Sequence, residues 1–355
     1  MMSADQRAPR SARLLTVDAS GALAHLPRSE LALILRPGDV VVANDAATLP
    51  ASLPGEHAAS GAAIEVRLAG WLSLGDPTHF IAVCFGPGDF RMPTEDRPLP
   101  PPLRPGDQLS LGPLCATIEC LLGHPRLCRL RLSGTRPAIL AGLAAHGRPI
   151  QYAHVPEPLA LWDVWTKIAT DPVAFEAPSA GFALDWRMLA AWRSRDIHFA
   201  TLTHAAGISS TGDPLLDLRL PLDEPYRIPK STALTISCAR AAGRRVIAIG
   251  TSVVRALESA ADRDGSVRDG SGMASGRIGE GTDLRVVDAI VTGVHQPGDS
   301  HFELLRAFVN DSLLQQIARD LATQGYRGHE FGDSLLVHRS MNHTTLKRQV
   351  PQEAS

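Results

Sequence analysis

The run Arg244-Arg-Val-Ile-Ala-Ile-Gly-Thr-Ser-Val-Val-Arg-Ala-Leu-Glu-Ser259 decides how this chain folds. Its first half, Val246 to Ile249, is short, apolar and β-branched, the composition of a strand buried on both faces of a parallel sheet. Gly250 breaks the run. Thr251 or Ser252 can then cap a helix whose apolar positions Val253, Val254 and Leu257 recur at helical spacing. Strand, tight turn and helix in that order predict an open α/β sheet, and ligands of such sheets bind beyond the carboxyl ends of the strands. Gly250, Thr251 and Ser252 are therefore where a small molecule is first sought, although an ordinary β-to-α connection has the same appearance.

Working outward, the same texture recurs on both sides. Val40 to Ala43 is a second buried strand, ending at the polar pair Asn44-Asp45, which reads as ligand contact or as a turn held by Asx hydrogen bonding. Arg13 to Val17 is a candidate first strand. Ala183 to Arg193 is an amphipathic helix followed by a strand from Ile197 to Leu202. A helix from Thr232 to Ala242 leads into the opening run, another strand spans Arg285 to Val291, and a long helix is expected from Ser300 to Thr323. Residues 263–281, rich in Gly, Asp and Ser, read as a mobile loop.

Between Leu53 and Arg148 the pattern differs. Short alternating runs, Ala63 to Leu68 and Phe80 to Phe85 among them, are separated by Gly and Pro clusters, the signature of a small barrel or sandwich. Pro93 to Pro105 holds six prolines and reads as an extended loop. The expected architecture is an α/β main domain with an inserted small β-barrel: residues 1–53 plus 149–338 form the main domain, 54–148 the barrel and 339–355 a disordered tail.

The totals bound the function. At 355 residues, two domains are the default. A formal net charge of −2 supplies no global basic field for nucleic acid or membrane, so any RNA contact needs a local patch. Five cysteines without zinc spacing fit reduced thiols in a cytoplasm. No signal-peptide core and no run of about 18 apolar residues occurs, so a soluble protein without a membrane span is expected. Dinucleotide, Walker, nucleophile-elbow and His-Glu-x-x-His motifs are missing from the sequence, which removes the common phosphate, hydrolase and zinc readings.

What remains is a set of clusters at strand ends. Ala177-Pro-Ser-Ala-Gly181 places Ser179 and Gly181 before a helix, where small residues let a ligand approach unpaired N–H groups. His204 follows a strand with Thr201 and Thr203 nearby and is a candidate general base, or a structural histidine. His295, in Val291-Thr-Gly-Val-His295-Gln-Pro297, ends another strand, and Asp333 and Arg327 either pair or hold a ligand.

In this order the clusters resemble the S-adenosylmethionine:tRNA ribosyltransferase-isomerase family of queuosine biosynthesis. Leu35 to Leu53, Ala177 to Gly181, Thr201 to Gly207, Gly250 to Ser259, Val287 to Pro297 and Tyr326 to Asp333 are each similar to one of its motifs. The resemblance implies an α/β domain with an inserted barrel. It also implies transfer and isomerisation of the ribosyl portion of S-adenosylmethionine to 7-aminomethyl-7-deazaguanine in a tRNA anticodon. Epoxyqueuosine, adenine and methionine are the products, and S-adenosylmethionine is a cosubstrate with no metal required. Set on this sequence, it points to His295 and His204 as catalytic groups and to Asn44, Ser179, Gly181, Thr251, Ser252, Arg255 and Asp333 as substrate-binding residues. Departures from the family's pattern fall at Ala47 and Ser52, where it has arginines, and at Thr203, Leu222 and Gly298. Two alternatives therefore stand beside the parent reaction: a paralogue with another acceptor or none, and a non-catalytic nucleoside-binding protein.

Overall fold

A computed structural model describes residues 2–3, 12–328 and 331–340 of the chain. Val40–Asn44 and Val246–Ile249 are adjacent parallel strands at the centre of a nine-stranded sheet. His198–His204 flanks them on one side and Ala289–Gly293 on the other, both parallel. Antiparallel and mixed strands extend the sheet outward: Glu224–Ile228 and Gly270–Ala274 at one edge, and Ser334–His338, Arg13–Val17 and Leu23–Pro27 at the other.

The continuous apolar runs follow from burial on both faces. Val40, Val42, Val246 and Ala248 pack under the helices Lys230–Ala241, Thr251–Ala260 and Asp311–Thr323. Their neighbours Val41, Ala43, Ile247 and Ile249 point the other way, onto Trp186–Ser194 and Leu31–Ile34. The result is a three-layer α/β/α core.

Six strands between Ser52 and Leu132 close into a barrel with its own core, and the helix Arg136–His146 packs Ile139 and Leu143 against it. The barrel thus interrupts the main sheet between Val40–Asn44 and the adjacent strand His198–His204. A buried charge cluster fastens its interior side. Glu65 is paired with Arg67 and Arg97, and the guanidinium carbons of Arg67, Arg97 and Arg126 lie 4.8, 5.1 and 4.8 Å from the Phe85 ring centre. Ser52, where the family's pattern has arginine, donates to Glu65 at 2.8 Å. The positive charge on that carboxylate comes from Arg67, on its own strand, and from Arg97, just after the 3-10 turn Thr94–Asp96.

Several expected elements differ. Residues 263–281 contain the edge strand Gly270–Ala274, because Arg255 reaches across to the Ala274 and Gly276 carbonyls and anchors it. The long helix expected from Ser300 to Thr323 is interrupted: Ser300–Leu304 gives way to a 3-10 turn, and a new helix begins at Asp311, capped by the Asn310 side chain. The strand expected at Arg285 to Val291 begins at Ala289, since Glu258 takes the N–H groups of Arg285, Val286 and Val287. Within the proline-rich loop, Thr94–Asp96 forms a 3-10 turn. Of the tail, Arg339 and Ser340 are held by the Asp288 and Phe308 carbonyls; residues 341–355 lie outside the described residues.

Candidate active site

Beyond the carboxyl ends of the central strands lies a cleft with about 960 Å³ between its walls, partly open to solvent. Its floor is the turn after Val246–Ile249. Gly250 has φ +95°, its N–H donates to the Val291 carbonyl at 2.7 Å, and an added Cβ would sit 3.3 Å from Ala180 Cβ. Glycine is favoured there because a side chain would be strained at that dihedral and would crowd Ala180. The helix Thr251–Ala260 starts at this turn without a side-chain cap, contrary to the expectation that Thr251 or Ser252 caps it. Its first N–H groups and the positive end of its dipole are therefore presented at the cleft.

Thr251, Ser252, Arg255, Ser179 and His295 all line the cleft. His295 stacks on His301, with ring centres 4.6 Å apart and planes 13° from parallel. Arg255 is not a free cation. Its guanidinium is paired with Glu224 and donates to the carbonyls of Leu222 (3.2 Å), Ala274 (2.9 Å) and Gly276 (3.2 Å). Glu224 also accepts the Gly207 N–H at 2.6 Å. Burial pushes the Glu224 carboxyl up from its ordinary range, and Arg255 and the Gly207 N–H pull against that shift.

Four expected site residues serve the framework. His204 is fully buried and does not line the cleft. The strand continues through it, so Thr203 and His204 face opposite ways. Thr203 donates to Asp45, and His204 places Nε2 3.4 Å from Glu224. Burial and then Arg255 push His204 down to about 3, which keeps it neutral. That environment does not suit the general base expected of it. Asn44 clamps the same strand, accepting from His204 N–H and donating to the His204 carbonyl, both at 2.9 Å. It also takes the Ala46 N–H, as an Asx-stabilised strand end does, and donates to the hydroxyl of the cleft residue Ser252 at 3.4 Å. Asp333 accepts from the backbone N–H groups of Arg13 and Arg327 at 2.8 and 2.9 Å and lies away from the cleft. Gly181 is buried against Thr166, inside a 3-10 turn, Ser179–Ala183. The helix expected from Ala183 starts at Trp186 and is capped by Asp185, so Ser179 reaches the cleft from the turn and not from a helix N-terminus.

Glu176, Glu224, Arg277, His301 and Glu303 also line the cleft. None of the five was singled out in the sequence, although Glu224 lies two residues after the departure at Leu222. Arg277 arrives from the segment after the edge strand and donates to the Asp217 and Leu218 carbonyls at 3.0 and 2.9 Å. Among the described residues no group of three or more His, Cys, Asp or Glu is arranged to hold a metal ion, and no helix is long and apolar enough to cross a membrane.

The family model described as queuosine biosynthesis protein matches residues 3–337. The chain belongs to that family. Among the queuosine proteins it is similar to the S-adenosylmethionine:tRNA ribosyltransferase-isomerase of Sorangium cellulosum, with 33% identity over 92% of each chain. It is also similar to the enzyme of the same name from Anaeromyxobacter sp. strain K, with 32% identity over 93% of this chain and 94% of the relative. A solved structure, the S-adenosylmethionine tRNA ribosyltransferase of Thermotoga maritima, aligns over 94% of this chain and 95% of that one, with 20% identity and a TM-score of 0.49.

Proposed function

We propose that the chain transfers and isomerises the ribosyl portion of S-adenosylmethionine onto 7-aminomethyl-7-deazaguanine in a tRNA anticodon, in the cytoplasm, releasing adenine and methionine. The observation that carries this reading is the cleft in which an uncapped helix N-terminus, a stacked histidine pair and three carboxylates meet at the ends of the central strands. A helix N-terminus suits the methionine carboxylate. Carboxylates around the cleft suit a cationic sulfur.

The sulfonium acidifies the ribose carbon beside it. A base takes that proton, the pair left on carbon opens the ring C–O bond to a vinyl sulfonium, and the freed oxygen becomes a carbonyl as the glycosidic pair leaves with adenine, which is protonated. The acceptor amine adds to the vinyl carbon and loses a proton, the carbon beside sulfur closes on the carbonyl, and the resulting alkoxide displaces methionine by breaking the C–S bond. We assign the proton to His295, the histidine in register with the family's own, with His301 stacked behind it. His295→Ala is expected to lower the rate of adenine release by about 10²- to 10⁴-fold, the usual contribution of a positioned base.

The test is to incubate the protein with S-adenosylmethionine, with and without tRNA carrying the precursor base, and follow adenine. Release that depends on that tRNA supports the reaction. Release without it supports a paralogue acting on another acceptor, the reading favoured by Ala47 standing buried where the family's pattern has an arginine. Failure to bind S-adenosylmethionine refutes both.

A further inference from the structure

A second pocket adjoins the cleft and shares Glu176 and Ala177 with it. Its space is about 420 Å³. The segment that returns from the barrel to the main sheet supplies Gln151, Tyr152 and His154, and the 3-10 turn Ser179–Ala183 and the turn before the last strand supply Phe182 and Phe331. Phe182 and Phe331 are stacked, ring centres 5.6 Å apart and planes 19° from parallel, and Val155 and Leu159 pack against them. Gln151 holds the wall, donating to the Val155 and Glu157 carbonyls at 2.6 and 2.7 Å. Two helical positions before Val164, another lining residue, Trp162 stands 75% exposed.

The wall between the two pockets carries a charge. Glu176 accepts the Ser209 N–H at 3.0 Å and the Tyr152 hydroxyl, both through Oε1. The Tyr152 hydroxyl is pushed well up, by burial and then by the Glu176 charge, so it remains a donor to that carboxylate.

We infer that this second pocket receives the acceptor: a planar nucleobase turned out of its strand, its rings against the Phe182–Phe331 pair and its amine on the Glu176 carboxylate. Three properties converge on that ligand class. The walls are apolar and aromatic, as a flat ring system requires. The carboxylate stands where a primary amine would have to leave the pocket for the cleft, and it complements an ammonium. A base acted on by an enzyme must be extruded to reach such a site, and an exposed tryptophan nearby suits stacking on a neighbouring base. The inference rests on the proposed reaction, since it assigns that reaction's second substrate.

The experiment uses full-length protein, S-adenosylmethionine and tRNA carrying the precursor base, with Glu176→Gln and Phe182→Leu as variants. Dissociation of S-adenosylmethionine is measured by calorimetry, and KM for the tRNA by adenine release. Phe182→Leu, which lies outside the cleft, should keep the wild-type affinity for S-adenosylmethionine, which reports an intact fold and cleft. Glu176→Gln should raise KM for the tRNA about tenfold, the worth of one charge-assisted hydrogen bond. Phe182→Leu should raise it by a smaller factor, because apolar contact is retained. Wild-type KM in both variants, with turnover intact, overturns the acceptor pocket and leaves the reaction standing. A loss of S-adenosylmethionine affinity in Phe182→Leu overturns it as well, by making the aromatic pair part of the cleft's own binding surface. No binding of S-adenosylmethionine to the wild type overturns the reaction and the pocket together.

Discussion

Replacing Arg255 by methionine keeps an unbranched apolar stem and removes the guanidinium and its charge, leaving the Glu224 carboxylate buried opposite His204. Arg255 is 6% exposed and Glu224 6% exposed, so water cannot take over the lost role. Breaking a buried pair from one side costs about 3–5 kcal/mol, a large part of the roughly 5–15 kcal/mol that holds a typical protein folded. The cost depends on pH. Glu224 is already pushed above its ordinary 4.5 by burial, and loss of Arg255 pushes it further. A carboxyl whose pKa is higher in the folded state is protonated more readily there, so its effect favours folding at low pH and is lost as pH rises through the folded value. Arg255→Met should therefore lose about 4 kcal/mol at pH 8. At pH 5 only about 1–2 kcal/mol should be lost, the part due to the hydrogen bonds to Leu222, Ala274 and Gly276. Urea midpoints at the two pH values measure both, and Glu224→Gln added to Arg255→Met should recover about 2 kcal/mol at pH 8. An equal loss at both pH values, or a double variant no more stable than the single one, would refute the idea that an isolated buried charge is the cause.

Other outcomes follow from the same geometry. His204, held neutral near 3, and His338, lowered to about 4 chiefly by burial, both take up protons in the unfolded chain first. Stability should fall as pH drops below the ordinary 6.5 toward those values, and His204→Gln should make the decline shallower by up to about 1.4 kcal/mol per pH unit, read from denaturant midpoints between pH 6.5 and 4.5. Gly250→Ala places a Cβ 3.3 Å from Ala180 at φ +95°. The strain is about 1–3 kcal/mol, and weaker S-adenosylmethionine binding by calorimetry should accompany it; unchanged affinity would mean the turn is not part of the site. Glu258→Ala removes the acceptor of three backbone N–H groups and should cost about 2–3 kcal/mol by urea melting, without altering the KM of Phe182→Leu when the two are combined.

The strands were legible wherever burial on both faces forced an unbroken apolar run: Arg13–Val17 and Val246–Ile249 were read with the bounds they have, and Val40–Asn44 to within one residue. Gly270–Ala274 was not legible, because it is held by the distant Arg255 rather than by its own composition. The cleft was legible through Thr251, Ser252, Ser179 and His295, which end strands or begin a turn at the switch in the sheet. His204, Asn44 and Asp333 look the same in sequence, and only the three-dimensional partners separate a side chain that faces a ligand from one that ties two strands together. Glu176 and Phe182 lie in or beside a quoted motif, yet a pocket assembled from the barrel's return segment has no periodicity to reveal it.

The barrel's place between two neighbouring strands also sets an order of events during synthesis. Val40–Asn44 leaves the ribosome early, but Asn44 meets His204 only 160 residues later, and Val246–Ile249 follows later still. At about 5–20 residues per second, a strand apolar on both faces waits roughly ten to thirty seconds for its partners. The barrel closes from strands that are near in sequence, so it can fold within that interval and leave a shorter unstructured tether on the waiting strand. Slowing translation within residues 136–197, or weakening the barrel core, then exposes Val40 to Ala43 for longer, and aggregation of the nascent chain becomes the quantity that reports it.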